Sequence, residues 1–181
     1  IDWLCLPRFD SGACFASLLG GPERGRWRMA PCGELLRTER AYRGNSLVLS
    51  TEHRTASGVV RVLDFMPVRG DLPDVVRIVE GVEGRVRVRS DLVLRFAYGS
   101  VVPWVRQLDG VLRAIGGPDA VSLWTPIETT GVGLTTRASF TVRAGDRVPF
   151  LLMWHPSHVL SPKPLDAEDA IAETEAWWQE W

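Results

Sequence analysis

Apolar and polar residues alternate along most of this chain, an arrangement that leaves few folds open to it. A period of two is typical of β-strands, because successive side chains point to opposite faces of a sheet. The stretches that follow this period are SLVLSTEH, GVVRVLDF, DVVRIVEGVEG, RVRVRSDLVLRF, GVLRAIGG, AVSLWTP, GLTTRASFTVRAG and RVPFLLMWH. We therefore predict an all-β chain with about a dozen strands.

Turn-forming residues separate these stretches. They are Gly44-Asn45, Gly70-Asp71, Asp109-Gly110, Gly116-Gly117-Pro118 and Gly145-Asp146. Many strands joined by short turns predict a large antiparallel β-sandwich, or super-sandwich, over residues 1–160. No repeat with a period of roughly 20–50 residues is present in the sequence, which argues against a solenoid or a propeller.

The last 21 residues, 161–181, differ in character from the rest. A Pro-rich connector leads to DAEDAIAETEAWWQEW, where Asp166 is a plausible helix N-cap followed by acidic residues in the first turn. Helical spacing places on one face Ala167, Ala170, Ile171, Trp177, Trp178 and Trp181, with Thr174 interrupting them. We expect this helical segment to lead into another domain, and the isolated chain to self-associate through it.

Composition excludes several classes of function. The net charge of −1 gives no overall attraction to nucleic acid or to anionic membranes, and no apolar run reaches the roughly 20 residues of a membrane span. Cys5, Cys14 and Cys32 lack C-x-x-C spacing, so we expect reduced thiols in a cytoplasmic protein. A phosphate-binding G-x-x-x-x-G-K loop is also missing from the sequence, and we expect no cofactor.

Several motifs together are similar to those of a known family. They are IDWLCLPRFDSGACFASLLG, GRWRMAP, VRVLDFMPVRG, VVRIVEGVEGRVRV, VVPWVR, VPFLLMWHPSH and EAWWQEW. In this order the chain resembles the N-terminal β-sandwich domain of bacterial family-15 glycoside hydrolases, the glucoamylases and trehalase-like proteins. In that family a short strand-forming segment precedes IDWLC, and a helical linker and an (α/α)6 barrel follow the sandwich.

The resemblance implies that catalysis and accessory functions lie in different domains of the parent protein. The parent protein would hydrolyse α-glucosidic bonds with inversion, using a general acid and a general base about 6.5–9.5 Å apart. Both carboxylates would lie in the barrel, so the 181-residue chain is expected to be inactive alone. Its partners would be the catalytic barrel of the same polypeptide and, through the barrel, an α-glucoside.

The opening stretch WLCLPRFDSGACF allows two interpretations. It can form a corner of the sandwich, where Asp10 and Ser11 set a turn and Phe9 and Phe15 anchor it. Alternatively, its Arg8 and its Asp10 reach the mouth of the barrel and bind sugar hydroxyls or a barrel loop. We predict an interdomain corner first and a substrate rim second.

The tryptophans indicate an alternative function, that of an autonomous carbohydrate-binding module, because aromatic rings can stack on sugars. Trp104 and Trp124 lie close to turns and could be exposed, whereas Trp3, Trp27 and Trp154 lie in apolar strands and are predicted to be core. A third function is a purely structural or assembly domain, which predicts a large exposed apolar patch.

The remaining polar candidates have structural explanations. The acids Asp2, Asp10, Asp64, Glu80, Asp91 and Asp119 lie near strand ends and are predicted to form turns or to pair with arginine. His155 and His158 are separated by Pro156 and lack a third ligand, so we expect interdomain polar contacts there rather than a metal site. The arginines of the RVRVR stretch, Arg85, Arg87 and Arg89, are expected to be balanced by nearby acids.

Overall fold

The computed structural model describes residues 1–68, 72–108 and 110–181. The predicted turn residues Gly70, Asp71 and Asp109 lie outside the described residues. The described residues form thirteen strands, β1 to β13 in chain order: Trp3–Cys5, Ala13–Ala16, Arg26–Pro31, Arg37–Tyr42, Leu49–Thr55, Gly58–Phe65, Asp74–Val93, Trp104–Leu108, Val111–Gly116, Asp119–Trp124, Thr130–Val132, Thr135–Arg143 and Arg147–Pro156. Two short 3-10 turns, Ser17–Leu19 and Pro22–Arg24, precede β3, and helix α1 spans Ala167–Glu180.

One long strand, β7, belongs to both layers of the sandwich. Its first half pairs with β6 and β13, and its second half pairs with β3 and β12, in antiparallel register throughout. The larger layer has the strand order β4-β5-β6-β7-β13-β10-β9-β8, and the smaller layer consists of β3, β7, β12 and β11. The all-β antiparallel sandwich is thus confirmed, but the two strands predicted for residues 74–84 and 85–96 are largely one strand of 20 residues.

The turn between β12 and β13 crosses β7 where that strand passes from one layer to the other. Gly81 donates its N–H to the Asp146 carbonyl at 2.9 Å, and its own carbonyl accepts from Gly145 N–H at 2.9 Å. A Cβ atom at Gly81 would lie only 1.9 Å from the carbonyl oxygen of Arg143. Glycine is therefore required here because two segments of backbone approach closely.

The main core fills the space between the two layers. Trp27 of β3 is fully buried, its ring packs edge-on against Phe150 of β13 at 6.3 Å, and Phe140 lies 5.5 Å from Phe150. The indole N–H of Trp27 donates to the Ser90 hydroxyl at 2.9 Å, so the one polar atom of this ring is satisfied.

A second core lies on the opposite face of the larger layer, under α1. It contains Val76, Ile78, Leu151, Met153 and, from the helix, Ile171. The neighbouring residues in sequence, such as Val75 and Leu152, point into the main core instead. Central strands of the larger layer are therefore covered on both faces, which explains why DVVRIV and FLLM read as nearly continuous apolar runs.

Helix α1 begins as predicted. Asp166 is its N-cap, and the carboxylate accepts hydrogen bonds from the backbone N–H groups of Glu168 and Asp169 at 2.9 and 3.1 Å. Thr174 does not interrupt the buried face, because its hydroxyl donates to the Ala170 carbonyl at 2.7 Å and the side chain is buried. The buried face is Ala167, Ala170, Ile171 and Thr174, and it ends before the tryptophans.

We expect replacement of the helix cap to loosen α1. Asp166→Ala should lower the free energy of unfolding by about 1 kcal/mol, since two N–H groups lose their acceptor. In a chain of this size that corresponds to a melting temperature lower by roughly 2–4 °C. Thermal unfolding of both forms measures it, with the exposed helix position Glu173→Ala as the matched control. An equal loss in both variants would contradict the capping role.

Candidate functional site

The opening loop forms a tight turn that carries an exposed ion pair. The Arg8 guanidinium contacts both carboxylate oxygens of Asp10, at 3.0 and 3.2 Å. Within the turn the Ser11 N–H donates to the Arg8 carbonyl and the Arg8 N–H donates to the Ser11 hydroxyl. Arg8 and Asp10 thus present a paired guanidinium and carboxylate to solvent, a combination that can exchange hydrogen bonds with hydroxyl groups.

The two phenylalanines expected to anchor this corner behave differently. Phe15 is fully buried in the main core, as predicted. Phe9 is 89% exposed, so the prediction that it anchors the loop is wrong. The turn Arg8–Ser11 holds residue 9 at its outer tip, away from the core. An apolar ring therefore projects from the surface beside the Arg8–Asp10 pair.

A strained turn supports the opening loop from the side. Ala97 and Tyr98 have φ values of +48° and +59°, which non-glycine residues seldom adopt. Tyr98 donates its N–H to the Ala13 carbonyl at 3.1 Å, and its ring lies 6.0 Å from that of Trp3. Trp3 is half-exposed at this surface rather than core, because β1 pairs only with β2 and lies at the edge of the fold.

The other tryptophans divide between surface and interior. Trp104 is 60% exposed, and the guanidinium of Arg106 lies 4.9 Å from its ring centroid. Trp124 is half-buried beside the core under α1, so its predicted exposure is wrong. Trp27 and Trp154 are interior as predicted; the indole N–H of Trp154 donates to Asp119 at 3.0 Å. In the described part of the chain, no hydrogen bond, ion pair or ring contact joins Trp104 to Arg8 or Asp10.

An aromatic cluster ends the helix. The rings of Trp177 and Trp178 meet edge-on at 4.8 Å, and those of Trp178 and Trp181 at 5.7 Å. Trp181 is 86% exposed and Trp177 is also largely open to solvent. The sequence predicted that the apolar face of the whole helix would lack a partner within the chain. Only the last turn, which carries these tryptophans, is exposed in this way.

Each carboxylate that the sequence offered as a catalytic candidate has a partner within the chain. Glu80 accepts from Arg61 and Arg147, and Asp91 accepts from Arg89 and Arg137. The other acids pair as follows: Asp10 with Arg8, Asp64 with Arg77, Asp119 with Trp154 and Asp2 with Ser17. Asp10, Asp64, Glu80 and Asp91 are arginine partners, as predicted, whereas Asp2 and Asp119 accept hydrogen bonds from a serine and a tryptophan.

Burial disfavours the charged form of one carboxylate that the sequence did not point to, that of Asp74. The Oδ1 atom of Asp74, at the first position of β7, is buried without a hydrogen-bond partner among the described residues. Burial raises the pKa of this carboxyl from 3.8 to about 6. As the pH rises, Asp74 therefore loses its proton at a lower pH in the unfolded chain than in the folded protein. For this reason the free energy of unfolding falls progressively between about pH 4 and pH 6, and the loss persists above pH 6.

We expect Asp74→Asn to stabilise the protein at neutral pH. Because the side chain is only partly buried, the gain is about 1 kcal/mol, or roughly 2–4 °C in melting temperature at pH 7. The gain should vanish near pH 4, where the wild-type carboxyl is protonated in the folded protein. Melting curves at the two pH values measure it, with the exposed Glu34→Gln as control. A gain that is equal at both pH values would refute this account.

The histidines are structural. His155 is fully buried, and its Nε2 lies 2.9 Å from the Ser122 hydroxyl, which in turn lies 2.8 Å from the Ser161 hydroxyl. The predicted interdomain role of His155 is therefore wrong; it fastens the connector to β10. Burial lowers the pKa of His155, which favours the neutral ring. Within the described residues no cluster of three His, Cys, Asp or Glu side chains could hold a metal ion.

An open groove of about 840 Å³ runs between β3 and the β4–β6 side of the larger layer. Asp64 and Arg77 line it and are locked together by two hydrogen bonds, of 2.6 and 3.0 Å. His53 also lines it, bonded to the Thr38 hydroxyl at 3.0 Å, and burial lowers the pKa of its ring. The groove is polar, and its Asp64–Arg77 ion pair is satisfied internally.

The outer face of the smaller layer is strongly basic. We call it the arginine face; its outward side chains include Arg26, Arg28, Arg85, Arg87, Arg89, Arg137 and Arg143, with Asp91 among them. Of the three arginines predicted to be balanced by nearby acids, Arg89 pairs with Asp91 at 2.8 Å, whereas Arg85 and Arg87 form no ion pair within the described residues. Glu80 and Glu83 follow the larger layer instead, where they pair with arginines of β5, β6 and β13.

The sequence matches a known protein family and several proteins of known name. The family described as trehalase-like, N-terminal, matches residues 1–178. The trehalase of Mycobacterium tuberculosis is 27% identical over 212 residues, which cover 100% of this chain and 30% of that protein. The trehalase of Mycolicibacterium smegmatis is 26% identical over 209 residues, covering 100% of this chain and 31% of that protein. The trehalase of Thermoplasma acidophilum is 31% identical over 114 residues, covering 60% and 20%.

The fold is a β-sandwich domain, and the acids considered above are hydrogen-bonded to partners within it. This chain belongs to the family of trehalase-like N-terminal domains. It spans about 30% of the length of the mycobacterial relatives that it matches throughout. The described residues contain no helix long and apolar enough to cross a membrane.

Proposed function

We propose that this chain is the non-catalytic N-terminal domain of a family-15 glycoside hydrolase of the trehalase or glucoamylase type. The observation that carries the proposal is that trehalases match the whole chain with only 30% of their own length. Catalysis would be inverting hydrolysis of an α-glucosidic bond by two carboxylates of the remaining, (α/α)6 domain. The internal partners of this chain's own acids support that assignment.

The domain's part would be to cover one side of the catalytic barrel and to stiffen loops near its pocket. The tryptophan cluster at the end of α1 supports a packing role, because exposed aromatic rings gain most from burial against a partner. Arg8, Asp10 and Trp104 are exposed and available for rim contacts with a sugar or a barrel loop. Their distribution over two separate segments favours domain contact as the first role.

The test is hydrolysis of trehalose and of maltose by the 181-residue chain, assayed beside the product of the full reading frame. We expect activity in the longer protein alone. A matched pair of variants in the longer protein, Arg8→Ala with Asp10→Ala and Arg37→Ala with Glu39→Ala, then separates a rim role from general surface changes. Hydrolysis by the 181-residue chain would overturn the proposal.

Trp104 favours a second candidate, an autonomous carbohydrate-binding module. Its ring is exposed and carries Arg106 at 4.9 Å, a pairing that can stack on and hydrogen-bond a sugar. This function predicts binding of trehalose or glucan by the isolated chain and its loss in Trp104→Ala. Calorimetry that finds no heat of binding with the unsubstituted chain would exclude it.

The proposal also covers the oligomeric state of the isolated chain and the location of the protein in the cell. The isolated chain would self-associate through Trp177 and Trp181, and sedimentation of a monomer at high concentration would count against this. We propose a cytoplasmic location, supported by the three free cysteines, Cys5, Cys14 and Cys32. Burial raises the pKa of the Cys14 thiol to about 12, so this cysteine stays unreactive as a thiol.

A further inference from the structure

Arg95 is a buried cation without an anion. It follows the end of β7 directly, and its side chain is only 6% exposed. Its guanidinium donates to one acceptor, the carbonyl oxygen of Leu94, at 2.6 Å. Within the described residues no carboxylate lies within 4.0 Å of it. A guanidinium has five N–H donors, so most of its hydrogen-bonding capacity is left over.

Arg77, the other strongly buried arginine among the described residues, has a different environment. Arg77 holds two oxygens of Asp64 and a third acceptor, the Trp27 carbonyl. Buried charges in proteins are usually paired in this way, because an unpaired charge loses its hydration without compensation. Burial lowers the pKa of Arg95, as expected of an uncompensated cation, although the side chain stays charged at neutral pH.

Arg95 lines a pocket of about 350 Å³ at one end of the sandwich. The walls are largely apolar and come from Leu94, Val102, Pro103 and Val105 on one side and Leu134 on the other. Val102, Val105 and Leu134 are each substantially exposed, so the rim is an apolar surface open to a ligand. Thr135 and Thr136 are, with Arg95, the polar residues of the lining.

We propose that this pocket binds a single carboxylate group carried on an apolar stem. One guanidinium matches one carboxylate, with two parallel N–H···O bonds, and the apolar walls would take up the stem. Inorganic phosphate fits less well, because a strongly hydrated dianion would lose water to the apolar walls and meet a single positive charge. The volume suits a ligand group of a few carbon atoms.

The arginine face adds long-range attraction. Arg95, Leu134 and Thr135 also line a second cleft of about 590 Å³, which contains Arg26 and Arg28 of β3. Neither of these two arginines forms an ion pair within the described residues. Five arginines and two acids, Glu23 and Asp91, line this cleft, and such an excess of positive charge raises the local concentration of anions. An approaching carboxylate would therefore be guided toward the pocket that contains Arg95.

The proposal is tested by titrating the 181-residue chain with butyrate and following its NMR spectrum. We expect butyrate to shift the Arg95 Nε–H signal and the methyl signals of Val102, Val105 and Leu134. Butyramide, which has the same stem without the charge, should bind at least about tenfold more weakly. Inorganic phosphate in place of butyrate should leave the methyl signals unmoved. Equal binding of butyramide, or binding of phosphate alone, would overturn the proposal.

Three variants distinguish the pocket from general basic charge. Arg95→Met should abolish butyrate binding, and Arg95→Lys, which keeps the charge but not the two-pronged geometry, should weaken it by about tenfold. Arg87→Met removes an exposed arginine from the same face and should change the affinity less than about twofold. A loss in Arg87→Met equal to that in Arg95→Met would assign binding to the face and overturn the pocket.

The product of the full reading frame identifies the source of the carboxylate. If an acidic side chain of an adjoining domain fills the pocket, butyrate will bind the 181-residue chain but not the longer protein. If the natural ligand is a free carboxylic acid, butyrate will bind both. Either result supports the carboxylate site, and neither depends on hydrolytic activity.

Discussion

We expect Gly81→Ala to destabilise the protein strongly. Among the described glycines whose φ lies outside the left-handed region, it should have the largest effect of any glycine-to-alanine substitution. The new Cβ would lie 1.9 Å from the Arg143 carbonyl oxygen, where backbone meets backbone and no side chain can move aside. We expect a loss of about 3 kcal/mol, at the upper end of overpacking effects. Thermal unfolding should then begin roughly 6–12 °C lower.

Gly131→Ala provides the matched control. This residue is exposed in β11, its φ is not in the left-handed region, and a Cβ there would meet nothing within 4 Å. Alanine should be neutral or slightly stabilising at this position, since it restricts the unfolded chain. Similar melting temperatures for the two variants would mean that β12–β13 can lift away from β7 at little cost, contrary to the packing described.

Arg77→Met is expected to have the second large effect. The Asp64 carboxylate would lose both of its hydrogen bonds while remaining mostly buried, and Trp27 would lose the guanidinium 4.9 Å above its ring. Removing one partner of a buried ion pair costs about 3–5 kcal/mol, because the other charge is left uncompensated. Denaturant unfolding should show a lower midpoint with an unchanged slope.

Two further variants separate burial from charge pairing. Combining Arg77→Met with Asp64→Asn removes the stranded charge and should recover at least half of the loss. Arg8→Met breaks an ion pair of the same chemistry, but its side chains are 66% and 52% exposed, against 5% and 18% for Arg77 and Asp64. That variant should change stability by less than about 1 kcal/mol. A large loss from Arg8→Met would show that exposure is not what sets the difference.

The strands could be predicted because their pattern is local. GVVRVLDF corresponds residue for residue to β6, and the paired glycines and prolines fall between strands. The division into layers could not be predicted, because it depends on which distant strands pair with each half of β7. The break expected between DVVRIVEGVEG and RVRVRSDLVLRF is absent, because β7 runs through both stretches, and the β12–β13 turn is hydrogen-bonded to it at Gly81.

The candidate site was predictable to a smaller extent. The Asp10–Ser11 turn and the exposed Trp104 follow from local chemistry, and both are present. Phe9 and Trp3 were misjudged because hydrophobicity does not reveal whether a strand is central or at an edge. Arg95 had no sequence signal at all, since in LVLRFAY it continues a strand pattern; the pocket that it lines is built by residues 102–105 and 133–136, where β8 and β12 begin.

The shared strand also bears on the order in which the chain can fold. Among the described strands, β6 precedes the first half of β7 and pairs with it, whereas β13 begins only at Arg147; β3 lies at least 57 residues before the segment that it pairs with. The smaller layer is complete once Arg143 has been synthesised and the larger layer only after Pro156, so one edge of β7 stays unpaired until β12 and β13 have emerged. Such long-range pairing places folding in the range of milliseconds to seconds and makes the nascent chain vulnerable to aggregation until the last strand arrives.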